Sequence, residues 1–144
     1  MKYTFPCDII GNEHDGDGFA VKFPDLKGAN TGGFTFKEAI IMAEDCLVVS
    51  LASYVDCQEE LPTPSPWTKG QELLTVQPLI AAQLDLYVAM REQCVSVSDL
   101  AMRMHVAEAH VERLLSLDYK TSINEVMEAL ALLGCNPAVE GLAA

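Results

Sequence analysis

The sequence predicts an α+β chain, a strand-strand-strand-helix-strand unit followed by an all-helical one. Three observations carry this. Residues 2–9 and 19–23 alternate apolar and polar side chains with period two, as half-buried strands do. Residues 36–56 place apolar side chains at helical spacing behind a capping signal. From Leu79 onward several short helical segments follow one another, separated by further capping signals. The expected domains are residues 1–78 and 79–144.

In the first strand Tyr3, Phe5, Cys7 and Ile9 alternate with Lys2, Thr4, Pro6 and Asp8. Pro6 has no N–H to give, which places the strand at an edge or a bulge. Residues 11–18, Gly-Asn-Glu-His-Asp-Gly-Asp-Gly, read as a polar hairpin loop. Phe19, Val21 and Phe23 form the second strand, and Ala29–Gly33 a short third one. Thr35 stands three before Glu38, the spacing at which side chains cap the free N–H groups of a helix start. The helix then runs over 36–56 with Ala39, Ala43, Cys46, Leu47, Ser50, Leu51 and Tyr54 on one face. Leu61-Pro62-Thr63-Pro64-Ser65-Pro66 is an extended connector that cannot be helical. Leu73–Val76 is the fourth strand.

In the second unit 79–93 is helical, with Ile80, Leu84, Tyr87 and Val88 on one side. Ser96 and Asp99 form a second capping box, opening a short helix that holds Leu100 and Ala101. Met104-His105-Val106 is a tight turn into a helix over 108–115. Ser122 and Glu125 form a third box ahead of Val126, Met127, Leu130 and Leu133, with Gly134 and then Pro137 as the stop.

At 144 residues, half of them apolar, the chain suits one ordinary domain or two small ones. No apolar run is long enough to span a bilayer, and the N-terminus lacks the basic and apolar regions of a secretory signal. The five cysteines are scattered with no Cys-x-x-Cys pair, which fits a reducing, cytoplasmic setting. Net charge is −12, split as five Lys/Arg against twelve Asp/Glu in residues 1–78 and four against nine in 79–144. Such a surface repels phosphate at long range and attracts basic partners. No histidine neighbours a Ser or Cys in a nucleophile motif, and His105 and His110 are five apart, off a common helical face. Asp15-Gly16-Asp17-Gly18 lacks the ligand spacing of a calcium loop. Neither a metal nor a cofactor is expected.

The run Phe23-Pro24-Asp25-Leu26-Lys27-Gly28-Ala29-Asn30-Thr31-Gly32-Gly33-Phe34-Thr35-Phe36-Lys37-Glu38-Ala39 resembles the N-terminal signature of the HicB antitoxins, and so does the Leu-Pro-Thr-Pro-Ser stretch at 61–65. The resemblance implies a partial RNase H-like fold for the first unit. It implies a partner as well, a small basic HicA-like toxin that cuts messenger RNA and whose active site this unit covers. The strand-turn residues Phe23, Pro24, Asp25 and Leu26 are the expected contact surface. An RNase H-like fold also raises a nuclease, with Asp8, Asp25, Glu38 and Glu44 as its carboxylates. Asp8 on the polar side of its strand, Asp25 in a turn and Glu38 in a cap each have a structural reading, so no catalytic residue is assigned.

Residues 97–115, Val-Ser-Asp-Leu-Ala-Met-Arg-Met-His-Val-Ala-Glu-Ala-His-Val-Glu-Arg-Leu-Leu, resemble a helix-turn-helix of the Xre/lambda-repressor type. That implies a second helix laid in the major groove, with Ser98, Ala107, Glu108, Ala109, His110, Glu112, Arg113 and Lys120 as the DNA-contacting set. Some HicB antitoxins carry such a domain at the C-terminus. The two resemblances together imply an autoregulating antitoxin that binds operator DNA as a homodimer or higher homo-oligomer. A free-standing regulator without a toxin is the alternative. The outward residues of the second helix are net acidic, a departure that weakens phosphate attraction.

Overall fold

Three antiparallel pairings build the sheet of the first unit in the computed structural model, which describes residues 3–11, 18–118 and 121–135. The strands β1 (Thr4–Gly11), β2 (Phe19–Lys22), β3 (Asn30–Gly33) and β4 (Glu72–Thr75) lie in the order β3-β2-β1-β4. The helix α1 (Phe36–Asp56) packs on β2, β3 and β4. The expected hairpin loop over 12–17 lies outside the described residues, as do Lys120, Pro137 and the rest of the tail.

β1 lies inside the sheet order, yet at Pro6 it is locally an edge, one of the two settings the missing N–H suggested. Its first half, Thr4–Cys7, pairs with β4, and its second half, Asp8–Gly11, pairs with β2. The chain therefore has a ladder partner on one side only at the position that has no N–H to give. Phe5, Cys7, Val21, Phe23, Leu26 and Leu74 are buried with Ala39, Ala43, Leu47 and Leu51 of α1. Cys46, Ser50 and Tyr54 flank this core half-buried, and Ala52 and Val55 join it instead. Burial pushes the Cys7 thiol up to about 11, helped by the nearby Glu72 and Asp8 carboxylates.

The Thr31-Gly32-Gly33 step works by close approach. A Cβ on Gly33 would stand 2.6 Å from the Ala39 amide nitrogen, and one on Gly32 would stand 2.6 Å from the Phe19 carbonyl oxygen. The two glycines let β3 press onto the start of α1 and onto β2. The cap that follows differs in detail from a reciprocal box. Thr35 Oγ1 accepts from the Glu38 N–H at 3.1 Å, while Glu38 Oε2 accepts from the Phe34 N–H, one residue before the cap, at 2.9 Å.

The chain divides after Val76, and the second unit spans Gln77–Ala144. It contains α2 (Pro78–Gln93), α3 (Val97–Met104), α4 (Glu108–Leu115) and α5 (Ile123–Leu132). Pro78 takes the first helical position, where its missing N–H costs nothing. α2 is buried more widely than the predicted stripe, and Ala82, Leu86, Ala89 and Met90 enter a core with Leu100, Val111, Leu114, Val126 and Leu130. The buried Gln83 donates from Nε2 to the carbonyls of Leu114 and Ser116 at 3.0 and 2.9 Å, closing the end of α4 onto α2.

Four helices, α1, α2, α3 and α5, end in the same motif. Paired N–H bonds reach back from Glu59 to Tyr54 and Gln58 to Val55, from Val95 to Met90 and Cys94 to Arg91, from Val106 to Ala101 and His105 to Met102, and from Cys135 to Leu130 and Gly134 to Ala131. This is the Schellman arrangement, which needs a left-handed residue after the last turn. Gly134 supplies it at no steric cost, whereas Gln58, Cys94 and His105 sit there with φ of 55°, 55° and 57°.

Candidate functional site

Two surfaces carry the residues singled out from sequence, one on each unit. On the first, the turn Phe23–Ala29 between β2 and β3 is closed by the Phe23 N–H on the Ala29 carbonyl at 3.1 Å, with Gly28 left-handed at φ 66°. Its residues are largely fastened inward. Phe23 and Leu26 are 2 % and 3 % exposed and belong to the core. The Asp25 carboxylate accepts from the Ser65 N–H at 2.9 Å and from the Ser65 hydroxyl, clipping the proline-rich connector to the turn. The Lys27 N–H donates to Tyr54 Oη at 3.2 Å, tying the turn to the end of α1. Pro24 and Lys27 are the side chains this turn offers freely to solvent.

The carboxylates considered for a nuclease do not converge. Asp8 Oδ1 accepts from Gln71 Nε2 at 3.2 Å, Asp25 holds Ser65 and Glu38 holds Phe34. Among the described residues no group of three or more His, Cys, Asp or Glu side chains is placed to hold a metal ion.

On the second unit, α3 and α4 are joined by the three residues His105–Ala107. The packing side is apolar: Leu100 and Ala101 of α3 and Val111 and Leu114 of α4 are buried. The opposite side presents Ala107, Glu108, Ala109, Glu112 and Arg113 to solvent. Ser98 donates its hydroxyl to Glu108 Oε1, bridging the first turns of the two helices. A shallow groove between them is lined by Met102, His105, Val106 and Ala107. The Ser96–Asp99 box forms in both directions, with the Asp99 N–H on Ser96 Oγ at 3.0 Å and the Ser96 N–H on Asp99 Oδ2 at 3.1 Å. These bonds from Ser96 hold the Asp99 carboxyl below its ordinary range.

The third box does not form. Ser122 occupies the cap of α5 without a side-chain bond, and Glu125 turns elsewhere. Its Oε2 accepts from Thr121 Oγ1 at 3.5 Å and lies 3.7 Å from His110 Nε2 of α4. His110, expected on the outward face, is thus half-buried and drawn toward α5. Lys120, the last of the expected contacts, lies outside the described residues. Ser98, Ala107, Glu108, Ala109, Glu112 and Arg113 share one exposed region of the helix pair.

Sequence reading missed the outward face of α1. Ile41, Met42 and Val49 stand exposed there, and Phe34 just ahead of the helix is 80 % exposed. The signal was present in the pattern, since these apolar residues fall off the predicted core face.

Residues 5–85 match a family described as a HicB-like antitoxin of bacterial toxin-antitoxin systems. Antitoxin HicB 2 of Photorhabdus laumondii is 39 % identical over 122 residues, covering 85 % of this chain and 86 % of that protein. Antitoxin HicB of Escherichia coli K12 is 30 % identical, covering 81 % of this chain and 85 % of its own length. A chain of a toxin-antitoxin complex from Streptococcus pneumoniae is 31 % identical, with a TM-score of 0.42 over 46 % of each chain.

Proposed function

Because this chain belongs to the HicB-like antitoxin family, we propose that it binds and neutralises a small basic HicA-like toxin through its first unit and regulates its own operon through its second. The observation that carries the first half is the family match, which runs through the whole sheet, α1 and the connector. The acidic surface supports it, because a net charge of −12 favours encounter with a basic partner. Covering the toxin's active site suffices for neutralisation, and the family names point to a regulatory protein rather than a catalytic one.

The second half rests on the geometry of α3 and α4. Two short helices meeting through three residues over an apolar junction form a helix-turn-helix, whose second helix is long enough to enter a major groove. Arg113 can fork to guanine and Glu108 or Glu112 can accept from cytosine. A homodimer supplies the two half-sites such domains read. Phosphate contacts contribute little from so acidic a helix, so base contacts and dimer avidity must carry more of the affinity.

Arg113→Glu is expected to abolish the gel shift of the promoter fragment while leaving toxin capture intact. An unchanged shift moves the DNA-reading surface elsewhere. Purification of the full chain co-expressed with its flanking genomic DNA, weighed by native mass spectrometry, tests the antitoxin half. A small basic protein that is toxic when expressed alone is expected to co-purify. The chain arriving alone as a dimer favours a free-standing regulator.

A further inference from the structure

Among the described residues, the outward face of α1 holds an exposed apolar patch with acidic side chains set into it. Ile41, Asp45 and Val49 follow one another four residues apart, so they form one row on consecutive turns, and Met42 lies beside that row. Ile41, Met42 and Val49 are 55 %, 43 % and 56 % exposed, and Phe34 extends the patch at the N-terminal end. None of these four is used by the core. Glu38 begins the same side and is held in place by the Phe34 N–H, so its carboxylate is fixed beside the patch. Over its whole length α1 carries Glu38, Glu44, Asp45 and Asp56 against Lys37 alone.

Charge decides what fits this face. A second copy of the chain laid on it about a two-fold axis would bring Asp45 toward Asp45 and face the remaining carboxylates with their own kind, a repulsion that apolar contact must overcome. An anionic lipid surface meets the same obstacle. A basic surface with exposed apolar side chains meets neither, since its Lys or Arg groups pair with Glu38 and Asp45 while Ile41, Met42 and Val49 lose water.

We propose that this face of α1, and not the Phe23–Leu26 turn, is where the small basic toxin docks. The inference rests on the antitoxin reading and adds the surface to it. The turn is spent on fastening: two of its side chains are in the core and a third holds Ser65. The α1 face is helical and apolar and, among the described residues, stands exposed, which is what the centre of an interface requires.

The test uses the full chain and whichever small basic protein is encoded in the DNA that flanks its gene. Wild type, Val49→Glu and Asp45→Lys are compared by titration calorimetry and by rescue of growth, with thermal melts as the folding control. Both substitutions are at exposed helix positions and are expected to melt as wild type does. They are expected to weaken capture about 100-fold and to abolish rescue. Asp45→Lys leaves every apolar contact in place, so it gives the reading alone should Val49→Glu lower the melting temperature. Wild type binding with both variants within about threefold of it overturns the α1 assignment and leaves the antitoxin standing. Wild type binding nothing overturns the antitoxin reading and this surface with it.

Discussion

Gly33 shows how much of the N-terminal signature is a packing requirement. A methyl group there would overlap the backbone of Glu38 and Ala39, which are hydrogen-bonded into the first turn of α1 and have nowhere to move. Gly33→Ala is expected to destabilise the first unit by about 1–3 kcal/mol, the usual cost of forced overpacking, read as a lower urea midpoint at unchanged slope. A midpoint equal to wild type shows that β3 can lift from the helix without penalty. Cys94 and His105 make the opposite point. Each takes the left-handed position after a helix where glycine is the easy choice, so the backbone, set by tertiary packing, overrides what the side chain prefers.

Among the elements, α3 has a stability that follows pH on the acid side. The Asp99 carboxyl lies below its ordinary value of 3.8 because Ser96 hydrogen-bonds to the ionised form. Its contribution is therefore fully present above 3.8 and is lost as pH falls through the lower folded value. Protection of the amides in the first turn of α3, measured against their intrinsic exchange rates, is expected to fall in that window, and Asp99→Asn is expected to remove the dependence. Protection that ignores pH in the wild type breaks the argument. The same comparison of boxes shows what sequence can and cannot tell. Thr35 and Ser96 cap as their spacing predicts, and the limits of α1 could be read to the residue because period and cap agree. Ser122 has the same spacing and makes no side-chain cap bond, while the Glu125 carboxylate is drawn to Thr121 and to His110, and a partner fifteen residues earlier in the chain does not announce itself. Phe23–Leu26 read as a surface motif because a linear run does not say which of its side chains face the core. The Asp25 clip, whose partner is 40 residues away, was invisible for the same reason.

For the whole molecule the dominant quantity is charge. Both halves are acidic, so capture of a basic partner gains from the field of the entire chain as well as from contacts on one helix face. Raising ionic strength from about 50 mM to about 500 mM is expected to weaken that capture about tenfold, mostly through the association rate. Stopped-flow mixing at the two salt concentrations separates the rates. Salt-independent association would confine the electrostatics to short-range pairs. The same charge opposes DNA, so under the proposed function operator binding and toxin binding would be biased in opposite directions by the one field. A bound basic partner would neutralise part of it and so couple the two proposed activities without any change of shape.

The Asp25–Ser65 clip also sets where the chain can change length. Without it, residues 57–71 are one connector between the end of α1 and the start of β4. With it they are two short spans meeting at a fixed post. Added residues in a free surface loop are cheap, since closure entropy grows only as the logarithm of length. Residues 60–64, between the bonded end of α1 and Ser65, can absorb insertions on those terms. The segment after Ser65 cannot, because Trp67 Nε1 donates to the Gln71 carbonyl, Gln71 Oε1 accepts from the Thr68 N–H, and Gln71 Nε2 reaches Asp8 of β1. Variation in length among such chains is therefore expected to collect between 60 and 64, leaving 65–71 constant.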